Sequence, residues 1–127
     1  MSFRVSREEF ERIAAEEFDA LPEELHRRME NVHLVIEETD AGVRRRRGGI
    51  RSGGMLLGLY EGVPLSRRGT DYGVFPVLPD RITLFQQNCE SLVGSAGELR
   101  AMIRETLVHE IAHHFGMSEK EIRDAGY

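Results

Sequence analysis

A chain of 127 residues with 40% hydrophobic and 31% charged residues is long enough to bury a real core and ordinary in composition for a globular protein. Its net charge of -5 gives no general attraction to nucleic acid or to an anionic membrane, and no run of 18 apolar residues offers a membrane span. One cysteine, Cys89, excludes an internal disulfide and fits a reducing compartment, so a single domain over residues 1–127 in the cytoplasm is expected.

In chain order, Ser6 with Glu9 forms a capping box, and Phe10, Ile13, Ala14, Phe18 and Leu21 follow at helical spacing. Pro22 suits the first turn of a second, short helix that carries Leu25 and Met29 on one face. β-Branched residues in "NVHLVIEE" (31–38) predict a strand, and a second is predicted around Met55 to Tyr60 within a glycine-punctuated stretch. "DRITLFQQN" (80–88) reads as a third, with Ile82, Leu84 and Gln86 alternating against Thr83, Phe85 and Gln87. Ser95 and Glu98 open a helix that runs to about Phe115 and is ended by Gly116, a residue that adopts a left-handed C-terminal conformation at little cost. Ser118 with Glu121 caps a last short helix, with Met117 placed to pack on Ile122. The fold class is α+β.

"HEIAHHFGMSE" (109–119) concentrates three of the five histidines on the long helix. Leu107, Val108, Ile111, Ala112 and Phe115 cover most of that helix's circumference, so its polar groups need a reason to be there. His109 and His113, four residues apart, share a face and can aim ring nitrogens at one Zn²⁺. Glu110 is rotated by 100° and is suited to act on a water held by the metal, which is the mechanical content of H-E-x-x-H. Gly116 lets the chain turn back, so that Glu119 arrives as a third ligand, with Asp124 as the alternative. The expected site is one Zn²⁺ per chain on His109, His113 and Glu119, with water in the fourth position and Glu110 as catalytic base. His114 points away from the pair, and His26 and His33 read as surface residues.

With "LGLYEGVPL" (57–65) and "LPDRITLF" (78–85), the "HEIAHHFGMSE" segment resembles the small bacterial zincin-like metallopeptidase family, the minimal zincins, over roughly the C-terminal two-thirds of the chain. The resemblance implies a small mixed sheet over an active-site helix with N-terminal helices around it. It also implies a peptide or protein substrate, metal ligation by His109, His113 and Glu119, and Glu110 as acid/base. No methionine follows Glu119, so the Met-turn of the metzincins is absent.

Three classes of function follow: a zinc metallopeptidase, a metal-dependent hydrolase acting on RNA, and a metal-binding interaction module without turnover. Arg44 to Arg47, with Arg51, Arg67 and Arg68, would serve the second but read more simply as a solvated loop. Tyr60 and Tyr72 are candidates to stabilise an oxyanion, although core or surface positions are the simpler reading; Cys89 reads as a small buried hydrophobe. Arg81 to Asn88 is expected to form an exposed edge strand that holds an extended substrate through its backbone.

Overall fold

The computed structural model describes residues 3–29, 31–41, 54–62 and 80–127, together with the backbone of 50–52. The arginines at 44–47, 67 and 68, the side chain of Arg51, and Tyr72 lie outside the described residues. Helix α1 (Arg7–Asp19) starts where Ser6 accepts a hydrogen bond from the Glu9 backbone N–H, and it buries Phe10, Ile13 and Ala14. The reciprocal half of that box is not made, because Glu9 turns to Arg12 instead. Pro22 stands just ahead of α2 (Glu23–Arg28), which buries Leu25.

Among the described residues four strands follow: β1 (Val32–Glu37), β2 (Ile50–Ser52), β3 (Met55–Glu61) and β4 (Asp80–Phe85), in the spatial order β1-β4-β3-β2. β1 runs parallel to β4, while β3 is antiparallel to both β4 and β2. The sheet is therefore mixed, as expected. The edge assignment is overturned: β4 is paired on both sides, with Leu34 opposite Ile82 and Gly58 opposite Leu84. The physical reason is burial, since Ile82, Thr83, Leu84 and Phe85 are all buried, and a strand covered on both faces belongs inside a sheet. The third strand is also shorter than its sequence suggests. It stops at Phe85, and Gln86–Glu90 coil into a short helix, α3.

Side chains on α3 bond to backbone elsewhere in the fold. Gln86 Nε2 donates to the Val5 carbonyl, Glu90 accepts from the Val5 N–H at 2.9 Å, and Asn88 Nδ2 donates to the Leu56 carbonyl at 2.8 Å. Buried among them, Cys89 makes its closest polar contact with the Leu57 carbonyl, and burial pushes its thiol up to about 12. It is the small buried hydrophobe expected of it.

Helix α4 (Ala96–His114) lies against the sheet and α1, burying Leu99, Ile103, Leu107, Val108, Ile111 and Ala112. Its approach to β3 is close, because a Cβ at Gly58 would stand 2.7 Å from the Thr106 methyl. The register of β3 with β2 shifts between Ile50 and Arg51, and the side-chain alternation shifts with it. Leu57 and Tyr60 pack into the principal core, whereas Leu56 and Leu59 cluster with Phe85. Arg100 of α4 pairs with Glu16 and Glu17 of α1 at 2.8 Å, exposed on the Glu16 side and partly buried on the Glu17 side, and so links the two helices.

Candidate metal centre

The site begins with how α4 ends. Phe115 caps the helix, and Gly116 follows with φ +80°, in the left-handed region. Gly116 N–H then donates to the His113 carbonyl and Met117 N–H to the Ala112 carbonyl, the paired bonds of a Schellman motif. The chain turns back into α5 (Glu119–Asp124), which is fixed by a complete capping box between Ser118 and Glu121 and by burial of Ile122. Met117 packs onto the same core.

This reversal delivers Glu119 to the histidine pair. One carboxylate oxygen lies 2.9 Å from His113 Nε2 and the other 3.6 Å from His109 Nε2. The two imidazoles are edge to face, with centroids 5.8 Å apart. His109 Nδ1 faces the Glu105 carbonyl at 3.0 Å. A carbonyl only accepts, so Nδ1 donates to it, and Nε2 is the nitrogen that faces Glu119 and would bind a metal. A metal-binding histidine is commonly oriented by such a bond. The donor set, two imidazole nitrogens and a carboxylate, fits Zn²⁺. The three groups are closed on one another, and no group of three His, Cys, Asp or Glu among the described residues has the spacing of an assembled ion cage. A direct 2.9 Å contact between His113 and Glu119 is shorter than two ligands of one tetrahedral zinc would keep, so an ion would part them slightly. Asp124, the alternative ligand, pairs with Lys120 at 2.9 Å on an exposed side of α5.

Glu110 is not part of this trio. It is buried, and its Oε1 accepts a hydrogen bond from the Tyr60 backbone N–H of β3 at 2.9 Å. Tyr60 was not a candidate for this contact in the sequence, since 50 residues separate it from Glu110 and the bond uses backbone rather than side chain. The Tyr60 side chain is committed elsewhere. Its hydroxyl donates to Asp80 at 2.8 Å and its ring stacks on His114 at 3.9 Å, so it is a core aromatic and His114 packs away from the metal pair as expected. His26 packs edge-on against Phe18, and His33 is exposed.

An α+β fold in which a mixed sheet covers a buried H-E-x-x-H helix, with a carboxylate returned to the histidines, defines the zincin-like class. The model of the zincin-like metallopeptidase family matches residues 29–127, and the chain belongs to that family. A solved structure of a conserved hypothetical protein from T. thermophilus is similar in fold, with a TM-score of 0.54 and 22% identity over 87% of this chain and 94% of that one. Comparison with curated proteins gives no match.

Proposed function

We propose that this protein is a zinc-dependent peptidase, with His109, His113 and Glu119 as ligands of one Zn²⁺ and Glu110 as general base. The observation that carries the reading is the turn at Gly116, which sets one carboxylate against the Nε2 atoms of both histidines. Three such ligands leave a fourth position for water, the ligand count of catalytic rather than structural zinc. A bound zinc supplies Lewis acidity that lowers the pKa of its water to about 7 and polarises a carbonyl oxygen.

The chain's own residues supply the rest. The Glu105 carbonyl fixes the His109 tautomer, and the Tyr60 N–H fixes the rotamer of Glu110. Glu110 takes a proton from the attacking water and returns it to the departing amine. The substrate class is a peptide or protein. A cytoplasmic setting is supported by the single buried cysteine, and no helix among the described residues is long and apolar enough to cross a membrane.

The anchoring of Glu110 on β3 also favours a second reading, a metal-binding module in which that carboxylate only ties α4 to the sheet. Glu110→Gln keeps an oxygen for the Tyr60 N–H and removes the base. Zinc content and melting temperature are expected to hold while hydrolysis of a fluorogenic peptide library falls by about 10²–10⁴-fold. Replacing both His109 and His113 by Ala should abolish stoichiometric zinc by elemental analysis. If the variant and the parent are equally active, Glu110 is not the base. If neither cleaves peptide or RNA while both hold one zinc, the module reading stands.

A further inference from the structure

One side of α4, ahead of the metal pair, opens into a cleft of about 480 Å³. Ala101, Arg104, Glu105 and Val108 line it along the helix, His109 borders it, and Gly126 and Tyr127 close it from the C-terminal turn. The cleft is open to solvent, and its volume suffices for one amino-acid side chain. Because His109 is a shared wall, whatever fills the cleft lies beside the metal donors.

The lining has two kinds of chemistry. Ala101, Val108 and the Tyr127 ring offer apolar and aromatic surface. Arg104 offers a guanidinium set over the Tyr127 ring, 5.9 Å from its centroid. Arg12, Arg81 and Arg100 are each taken up by a carboxylate, whereas Arg104 has no anionic partner among the described residues. A guanidinium steadied against a ring retains a planar fork of N–H donors that matches a carboxylate in bidentate fashion.

We infer that this cleft is the side-chain subsite of the peptidase, built for a residue that joins a large apolar or aromatic side chain to a carboxylate. A C-terminal phenylalanine or leucine of a peptide has that chemistry. The side chain packs on Ala101, Val108 and Tyr127 while the carboxylate meets Arg104. The inference rests on the peptidase reading for its purpose but not for its binding chemistry. Glu105 lines the same cleft without a cationic side-chain partner among the described residues, so it sets the competing outcome, a preference for a cationic ligand.

The zinc-loaded full chain is titrated by heteronuclear NMR with N-acetylphenylalanine, with its amide and with N-acetyllysine amide. The free acid is expected to bind on the order of tenfold more tightly than its amide, with shifts centred on Ala101, Val108, Gly126 and Tyr127. Arg104→Gln should erase that preference, and Arg104→Lys, which keeps the charge but not the fork, should retain part of it. Arg104 is exposed, so both variants should fold, which the dispersion of their own NMR spectra checks directly. Equal affinity for acid and amide, no saturable binding, tightest binding of the lysine amide, or a preference that survives Arg104→Gln because the carboxylate sits on the metal would each overturn the inference. Acid-selective binding without hydrolysis of any peptide would leave the subsite standing and remove the peptidase reading. Hydrolysis without acid selectivity would do the reverse.

Discussion

Gly116 is the residue on which the site geometry turns. Its φ of +80° places it where a Cβ meets the following carbonyl, and only glycine occupies that region without cost. No neighbouring atom would obstruct a side chain there, so the requirement is conformational rather than one of space. Gly116→Ala should therefore lose about 1–2 kcal/mol in denaturant unfolding, and Gly116→Asn distinctly less, because asparagine tolerates the left-handed region. Both variants should weaken zinc binding in the same order, since they disturb the path that brings Glu119 to the histidines. Equal losses for Ala and Asn would show that something other than the backbone angle holds the turn.

Among the elements, the serine-capped helices were legible and the order of the strands was not. Ser6, Ser95 and Ser118 each cap the helix their sequence context announced, because a cap and its partner lie three residues apart. The meeting of His109 and His113 with Glu119 was legible for the same reason, since the three lie within eleven residues joined by one turn. By contrast, the partners of β4 lie at residues 32–37 and 58–61, and no local pattern names them. The run of buried residues from Ile82 to Phe85 did carry a signal for an interior strand, which the alternation pattern masked. Nor could the sequence show α3, since five residues have no usable periodicity and their purpose is tertiary. Asn88 is buried and satisfies the Leu56 carbonyl on β3. Asn88→Leu should cost about 1–3 kcal/mol in chemical denaturation, by leaving that carbonyl without its donor. A loss below about 0.5 kcal/mol would mean that the carbonyl finds another partner and that α3 does not pin β3 in this way.

For the whole molecule, the C-terminal reversal is where the proposed metal site would couple ion binding to folding. No disulfide can restrain the chain, because Cys89 is alone. α5 is held to the rest by burial of Ile122 and by the contacts of Glu119 with two histidines that are only half covered. Zinc bound by the folded chain and not by the unfolded one stabilises by mass action, about 2.7 kcal/mol when free zinc is one hundred times the dissociation constant. In a domain of this size, each kcal/mol moves the melting temperature by roughly 4 °C, so zinc should raise it by about 10 °C and a chelator should reverse the rise. His113→Ala should abolish the shift, and Glu119→Gln should reduce it. Glu110→Gln should leave it whole, since Glu110 is not one of the three proposed ligands and an amide oxygen still accepts from the Tyr60 N–H. Differential scanning calorimetry over a zinc series reads all four proteins. A shift that persists in His113→Ala would place the stabilising ion elsewhere, and a parent with no shift would mean that the three donors do not open to admit one.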